Sequence, residues 1–373
     1  MSKANIVILG AGGAGANLAR TLSEKLDASK YNLVLINDRD KYVHLPATLR
    51  MVVTDEGKLE DLALIPYTSL FLNGNGKLKI GKAASIEKAA SGKGGAVVLE
   101  DGEKIPFTYL VLATGSQWQG PVAFPAEPDN VAAHINDWRK KFANSENIVI
   151  VGGGAVGSEL SGELRDVYPK RKITIVHGGK QLLNDAYPNK FRKDLEQRLR
   201  ARNIDLILGD YIDNMPSEGE TTATTRNGKK ISADLFVPTP GGRPNTAFLK
   251  SLGADVLTDF GLVKVKPTLQ LQSHPEIFAA GDIIDFKEQK QVAKVPGHVG
   301  VVAANLLSIL KDQPPKKEYK GTFEAIFVTN GKSGGAGYMG VMWGLMFGNS
   351  VVGMAKSKGL FVGMTRKALG LAA

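Results

Sequence analysis

A glycine-rich turn between a buried strand and a helix occurs twice in this chain, and this duplication restricts the fold more than any other feature. The strands before the two turns lie at residues 5–9 and 148–151. In the pattern Gly-x-Gly-x-x-Gly the first glycine makes the turn, the second admits a pyrophosphate, and the third lets helix and strand pack closely. The glycines are Gly10, Gly12 and Gly15 in the first copy and Gly152, Gly154 and Gly157 in the second. The pattern predicts an α/β protein with two βαβ nucleotide-binding units.

The positions of the two units predict how the chain is divided. A length of 373 residues suits two domains of ordinary size with an extension. Apolar strands end in turns at Gly115 and at Gly241, as expected where a chain crosses between domains. We therefore expect the second unit to be inserted in the first. The predicted parts are a first domain at residues 1–119 and 242–320, a second at 120–241 and a C-terminal extension at 321–373.

Composition excludes several chemistries. The sequence contains no cysteine, which excludes disulfides, thiolate nucleophiles, Cys-ligated zinc and iron–sulfur clusters. The net charge of +10 suits an anionic cofactor, membrane or nucleic acid, but the basic residues are scattered among acids without a nucleic-acid module. We expect no nucleic-acid partner, and the five dispersed histidines predict no metal site. The start at Met1-Ser2 predicts a cytoplasmic protein without a secretory signal or N-myristoylation.

The strand after each turn should end at a residue that binds the ribose of the nucleotide. In the first unit that strand ends at Asn37 and Asp38, either of which can hydrogen-bond a ribose, although Asp38 also suits a solvated loop. In the second unit it ends at His177, and no carboxylate follows. Because no acid repels a 2′-phosphate there, the second site is predicted to accept both NADH and NADPH.

Three further segments resemble the glutathione-reductase-like flavoproteins, which have two dinucleotide-binding domains. Residues 276–282 resemble the second FAD signature of that superfamily, whose aspartate, here Asp282, binds the ribityl and phosphate region of FAD. The other matching segments, in the expected order, are Ala113-Thr114-Gly115 and the turn from Gly241. The resemblance implies two Rossmann-like domains, the first binding FAD and the second NAD(P)H.

Residues 152–164 resemble the matching stretch of type II NADH dehydrogenases and of the apoptosis-inducing-factor-like proteins, which include the ferroptosis suppressor group. Matches to the latter subgroup are His44-Leu-Pro-Ala-Thr-Leu-Arg50, Lys290 with His298, and the segment from Lys356. The resemblance implies that Glu159 lies at the nicotinamide–flavin contact and that Lys356 lies at a wall facing flavin or quinone. It also assigns Arg50 to the cofactor site. Without the resemblance, Glu159 also suits a solvated helix acid, and Lys356 a membrane anchor.

These features together predict an NAD(P)H:quinone oxidoreductase that uses FAD. Superfamily members that relay electrons through a cysteine pair are excluded, so electrons should pass directly from flavin to a small-molecule quinone, a small redox protein or oxygen. Two other functions stay open. One is reduction of a small iron–sulfur protein, and the other is redox signalling through a long-lived complex of FAD and NAD(P)H.

The extension contains an uncharged, glycine-rich stretch at residues 333–355, long enough to span a membrane. Its glycines lower helix propensity and basic residues follow it, so we expect peripheral attachment to an anionic membrane surface instead. Trp343 and Phe347 are four apart and are predicted to share one face of a helix that enters the membrane interface. The alternative is a core contact or a homodimer contact through the extension.

Overall fold

The structure is a computed structural model that describes residues 3–90 and 92–372. In chain order its strands are β1 (Ala4–Leu9), β2 (Tyr31–Asn37), β3 (Lys41–Val43), β4 (Leu64–Pro66), β5 (Lys77–Ile80), β6 (Ala83–Lys88), β7 (Gly95–Leu99), β8 (Lys104–Phe107), β9 (Tyr109–Leu112), β10 (Ser116–Gln117), β11 (Asn147–Val151), β12 (Lys172–His177), β13 (Ile204–Leu208), β14 (Thr222–Thr224), β15 (Lys230–Ser232), β16 (Leu235–Pro238), β17 (Arg243–Pro244), β18 (Ile277–Ala279), β19 (Ala325–Thr329), β20 (Gly335–Met339) and β21 (Leu345–Phe347). Its α-helices are α1 (Gly13–Lys25), α2 (Leu45–Val53), α3 (Leu59–Ala63), α4 (Pro128–Ala143), α5 (Ala155–Val167), α6 (Asn189–Arg200), α7 (Val295–Ile309), α8 (Asn349–Val352) and α9 (Val362–Ala368).

The first sheet contains five parallel strands in the order β18-β9-β1-β2-β5. Its central strand β1 contains an apolar run from Ile6 to Leu9 in which Ile6, Val7 and Ile8 are completely buried, as expected for a parallel sheet that is covered on both faces. Helices α1 and α7 contact each other, and their apolar residues share one core with the sheet. This sheet draws its strands from residues 4–112 and then from Ile277–Ala279.

The second sheet contains four parallel strands in the order β13-β12-β11-β16, all between Asn147 and Pro238. In chain order all four strands therefore lie between β9 and β18 of the first sheet. The two chain crossings between the sheets lie side by side, because β10 and β17 pair as a short antiparallel ribbon. This topology is consistent with an inserted second unit, and residues 1–119 with 242–320, 120–241 and 321–373 remain the domains that we propose.

The extension packs against the second unit. Strands β19, β20 and β21 form an antiparallel sheet, and Val328, Ala336 and Leu360 share a core with residues of α2 and α5. Each large apolar side chain buried in such a core contributes about 1.5–3 kcal/mol relative to an exposed position. The extension is therefore a folded part of the protein.

The prediction of one amphipathic helix carrying Trp343 and Phe347 is wrong. Trp343 lies in the turn between β20 and β21 and is fully exposed, whereas Phe347 belongs to β21. The Phe347 ring packs 5.8 Å from the ring of Phe327 on β19. Glycines disfavour a helix in this stretch, and Gly344 adopts a φ of +88° that closes the turn.

One segment among the described residues, Val292–Ile309, is long and apolar enough to be considered as a membrane span. Half of it is buried inside the protein, and it contains α7. It therefore packs as a core helix of the first unit.

Candidate functional site

The first glycine turn has the geometry that a bound pyrophosphate requires. Gly10 has a φ of +98°, and a Cβ atom there would lie 2.4 Å from the Ala113 carbonyl oxygen. A Cβ atom on Gly15 would lie 1.8 Å from the Gly10 oxygen, so this glycine allows α1 to pack on β1. A Cβ atom on Gly12 would meet nothing within 4 Å. The outer two glycines are thus required by packing, and Gly12 faces open space beside the N-terminus of α1, where an anion is favoured.

The second turn repeats these three roles. Gly152 has a φ of +125° and its added Cβ would lie 2.3 Å from the Thr239 carbonyl oxygen, whereas an added Cβ on Gly157 would lie 1.9 Å from the Gly152 oxygen. Gly154, like Gly12, has nothing within 4 Å of an added Cβ. The two turns are therefore equivalent in their backbone constraints, and each leaves its middle glycine open.

The residues that end the second strand of each unit also correspond. The Ala11 N–H donates to Asn37 Oδ1 at 2.9 Å, and the Gly153 N–H donates to His177 Nδ1 at 3.1 Å. His177 Nε2 lies 3.2 Å from the Leu183 carbonyl oxygen, and burial lowers the pKa of this histidine. Both side chains therefore hold the glycine turn in place. Sequence reasoning assigned them to the ribose and did not detect this role.

A cleft of about 570 Å³ opens between the first turn and the chain crossings, a volume in the usual range of ligand sites. Asp282 lines this cleft together with seven other residues that are predicted to bind the cofactor of the first unit. These are Gly10, Gly12, Asn37, Asp38, Ala113, Thr114 and Gly115. Gly15 is buried and does not line the cleft. Gly241, exposed and with a φ of +88°, lies at the chain crossing.

Several residues that sequence reasoning missed complete the cleft. Ser116 Oγ donates to Asp282 Oδ2 at 2.8 Å and so orients that carboxylate. Tyr67 donates its hydroxyl to the Ala11 carbonyl oxygen at 2.8 Å, beneath the glycine turn. Tyr42 lines the cleft, and burial, helped by the charge of Asp282, raises its pKa to about 12. Tyr42 is therefore a neutral hydroxyl at physiological pH. No local pattern marks these tyrosines, because their neighbours in the cleft come from distant segments.

Arg50 does not line this cleft, and its assignment to the cofactor site stays a prediction. Its guanidinium forms a two-pronged ion pair with Glu163, with both N–O distances 2.8 Å, and also donates to the Ser357 carbonyl oxygen. The two side chains are 10% and 3% exposed. Burial raises the pKa of Glu163, and Arg50 opposes that rise. Nε and Nη2 of Arg50 thus donate to groups of the protein, and Arg50 joins α2, α5 and the extension.

Glu159 and Lys356, which the sequence places 197 residues apart, meet in the structure. Lys356 Nζ lies 2.5 Å from Glu159 Oε1 and donates to the Phe327 carbonyl oxygen at 2.8 Å. The Thr329 N–H donates to the same Glu159 oxygen at 2.9 Å. Neither charged group lines the cleft described above. The pair connects α5 of the second unit to the extension.

His44 lies next to the cleft and is buried. Its Nε2 is 2.6 Å from the Leu360 carbonyl oxygen, so that nitrogen carries the proton, and Nδ1 has no partner among the described residues. Burial lowers the pKa of His44, and the nearby charge of Lys356 lowers it further, against the hydrogen bond to Leu360. His44 is therefore a neutral histidine that contacts the extension.

Comparison with known families gives a match over most of the chain. The model of the family described as pyridine nucleotide-disulphide oxidoreductase matches residues 4–300. A similar protein is the FAD-dependent oxidoreductase FVFD30 of Flammulina velutipes, 51% identical over 320 residues, which are 86% of this chain and 99% of that protein.

Two other relatives are similar over nearly the whole length. Apoptosis-inducing factor homolog B of Dictyostelium discoideum is 29% identical, with 96% of this chain and 95% of that protein covered. Ferroptosis suppressor protein 1 of Homo sapiens is 26% identical, with 98% and 95% covered. The resemblance drawn from the motifs is thereby confirmed.

Solved structures confirm the fold. The sulfide:quinone oxidoreductase of Aquifex aeolicus superposes with a TM-score of 0.78 at 17% identity, covering 99% of this chain and 92% of that one. The water-forming NADH oxidase of Lactobacillus brevis gives a TM-score of 0.66 at 17% identity, covering 90% and 75%. At these identities the comparison concerns the fold alone.

Proposed function

Because this chain belongs to the pyridine nucleotide-disulphide oxidoreductase family, we propose that it is an FAD-dependent NAD(P)H:quinone oxidoreductase acting at a membrane surface. FAD and a nicotinamide nucleotide are the cofactors expected for a flavin-dependent member of this family. The observation that carries the proposal is the pair of matched glycine turns in a chain without cysteine. In this proposal each turn binds one nucleotide, and the chain has no cysteine pair that could relay electrons to the final acceptor.

The first unit fits FAD. Gly12 leaves space for a pyrophosphate, and the carboxylate of Asp282, held by Ser116, lines the same cleft. Bound FAD would accept a hydride from NAD(P)H and pass two electrons to the acceptor. The protein binds and orients both nucleotides and excludes water from the contact between them.

In this proposal Lys356 acts on the reduced cofactor from outside the residues that line the cleft, through the field of its positive charge, and Glu159 holds the ammonium group in position. The close contact between the two groups and their burial support this role, since each side chain is at most 12% exposed. A fixed, buried charge stabilises developing negative charge more than a solvated one does.

Variants of Lys356 test this role. Lys356→Met should keep FAD bound but reduce turnover with a short soluble quinone by about tenfold or more, because a fixed charge of this kind acts mainly in the transition state. Lys358→Met is the matched control, since Lys358 is an exposed lysine on the same segment. Equal turnover in both variants and the wild type would contradict the role of Lys356.

The membrane-facing part of the proposal rests on the surface of the extension. Met342 and Trp343 are 82% and 101% exposed at one turn, and Met354 is 72% exposed. Basic residues follow at Lys358 and beyond. Exposed apolar side chains beside cations suit the interface of an anionic bilayer.

Liposome binding tests the membrane contact. Trp343→Ser should weaken sedimentation with anionic vesicles and slow reduction of a long-tailed quinone, while reduction of a short soluble quinone stays unchanged. Phe347 is left intact because it packs against Phe327. A variant that instead changes only the elution volume in size-exclusion chromatography would assign this turn to a dimer contact.

Acceptor specificity separates the proposal from its alternatives. Steady-state oxidation of NADH should be rapid only when quinone is present. Rapid turnover only with a small iron–sulfur protein would instead identify a reductase of that class. A long-lived complex of the two cofactors with slow turnover for every acceptor would favour a signalling role.

A further inference from the structure

A buried chain of polar groups lies behind the Gly281–Asp282 turn of the cleft. The Gly281 N–H donates to His298 Nδ1 at 3.1 Å. His298 Nε2 lies 2.9 Å from Glu288 Oε1, and the Tyr319 hydroxyl donates to Glu288 Oε2 at 2.6 Å. The side chains of His298 and Glu288 are each 2% exposed. Four segments of the chain therefore meet at hydrogen-bond distance and out of contact with solvent.

The hydrogen-bond partners define the proton positions in this chain of groups. Because the Gly281 N–H is a donor, Nδ1 of His298 must accept, and the ring proton must be on Nε2. That proton is then donated to Glu288. Burial alone would raise the pKa of Glu288, but hydrogen bonds from His298 and Tyr319 hold it below its usual value. Glu288 is therefore a carboxylate that selects one tautomer of His298.

The turn held by His298 is part of the cofactor cleft. Gly281 and Asp282 both line it, and Gly281 has a φ of +81°. A Cβ atom on Gly281 would lie 3.2 Å from the Cβ of Ala14, so the turn lies close to the first residues of α1. Ser116 Oγ holds the Asp282 carboxylate. One end of the turn is thus fixed by His298 and the other by Ser116.

The loop between the turn and Glu288 is closed by the half-buried ammonium group of Lys290. Lys290 donates from Nζ to the Ile284 and Phe286 carbonyl oxygens at 2.8 and 3.1 Å. The ring of Tyr319 packs edge-on against His298, with the ring centres 4.4 Å apart. These contacts keep Glu288 from turning away from His298.

We infer that His298 and Glu288 are positioning residues for the cofactor cleft. His298 Nδ1 holds the backbone of the turn so that Asp282 faces the cofactor, and Glu288 keeps His298 in the tautomer that can do so. The inference rests on the proposed binding of FAD by Asp282. Neither residue lines the cleft, and a residue that only fills the core would not need these hydrogen bonds.

Two substitutions of His298 separate positioning from packing. The side-chain oxygen of Asn lies near the place of Nδ1 and can accept the Gly281 N–H, whereas Gln reaches the place of Nε2 and leaves that N–H without an acceptor. His298→Gln should weaken FAD binding about 5–150-fold, equivalent to the cost of about 1–3 kcal/mol for an unsatisfied buried donor. His298→Asn should stay within about threefold of the wild type. The readout is FAD fluorescence quenching on titration with apoprotein.

Variants of Glu288 test the tautomer. Glu288→Gln keeps an oxygen that can accept the Nε2 proton and should retain FAD affinity, whereas Glu288→Leu removes the acceptor and should lose affinity as His298→Gln does. His274 provides the control, since it is also a buried histidine but hydrogen-bonds Leu252 and lies outside the cleft. His274→Gln should lower the melting temperature without changing FAD affinity.

Equal FAD affinity in His298→Asn and His298→Gln, with both apoproteins folded by circular dichroism, would overturn the inference and leave His298 as a core residue. Wild-type protein that binds no FAD would instead contradict the proposed function. Because the titration reads binding without turnover, wild-type protein that binds FAD but reduces no quinone would contradict the proposed acceptor and leave the positioning role intact.

Discussion

Breaking the ion pair between Lys356 and Glu159 should weaken the packing of the extension on the second unit while the protein stays folded. Lys356→Met removes a contact of 2.5 Å to the carboxylate and a hydrogen bond of 2.8 Å to the Phe327 carbonyl oxygen. Glu159 keeps the Thr329 N–H as its hydrogen-bond donor but loses its counter-charge. The two side chains are 12% and 10% exposed, so solvent screens the pair little.

The size of the effect follows from that burial. Removing one partner of a buried ion pair costs about 3–5 kcal/mol, because the other charge is left uncompensated. Glu159→Gln should therefore cost a similar free energy of unfolding as Lys356→Met. The double variant leaves no charge behind and should cost clearly less than the sum, with a coupling of about 2–4 kcal/mol.

Equilibrium unfolding in urea, followed by circular dichroism, measures these differences for both single variants and for the double variant. Lys358→Met controls for the loss of a lysine from the same segment, and it should change the free energy of unfolding by less than about 0.5 kcal/mol. If the double variant costs the full sum of the two single variants, the pair does not act as a unit and the reasoning is refuted.

Three further predictions concern other parts of the site. Arg50→Met should cost about 3–5 kcal/mol of unfolding free energy in urea, because Glu163 is left buried without its partner, while FAD affinity in a titration stays unchanged; a large loss of affinity would return Arg50 to the cofactor site. Burial lowers the pKa of His44 below 6.5, so the unfolded chain binds this proton more readily and stability falls as the pH drops below about 6.5. Melting temperature against pH should show this fall, and His44→Gln should flatten it. His177→Asp keeps an acceptor for the Gly153 N–H and adds a charge, so kcat/KM should shift about tenfold toward NADH over NADPH; an unchanged ratio would place the ribose elsewhere.

The glycine turns could be predicted from the sequence because their determinants are local. Strand, turn and helix lie within one short segment. The third glycine is required by a contact within the motif, that between Gly15 and Gly10, and the first has the positive φ of the turn. The same holds for the end of the strand at Asn37, although the sequence could not show that its side chain binds the turn backbone.

Contacts between distant segments could not be predicted. Arg50 and Glu163 are 113 residues apart, and no spacing rule connects a position on α2 to one on α5. The family resemblance brought Glu159 and Lys356 into the same prediction but gave no reason to expect an ion pair. Its formation depends on the extension folding back onto the second unit.

The extension shows the limit of reasoning from hydrophobic pattern alone. An uncharged, glycine-rich stretch suits a helix on a membrane, a membrane span or a sheet with tight turns, and residue composition does not decide between them. Cross-strand packing of Phe347 on Phe327 and the turn at Gly344 determine the outcome. The helical spacing of Trp343 and Phe347 therefore predicts the wrong local structure, because Trp343 lies in a turn and Phe347 in a strand.

The central claim is that electrons pass from NAD(P)H through FAD to a quinone without a thiol relay. Anaerobic absorbance spectroscopy of the purified protein tests it most directly. We predict that the protein contains an equimolar amount of FAD, that NADH bleaches its visible absorbance, and that a soluble quinone restores the absorbance rapidly. FAD-loaded protein that NADH does not bleach, or that stays bleached when quinone is added, would contradict the account.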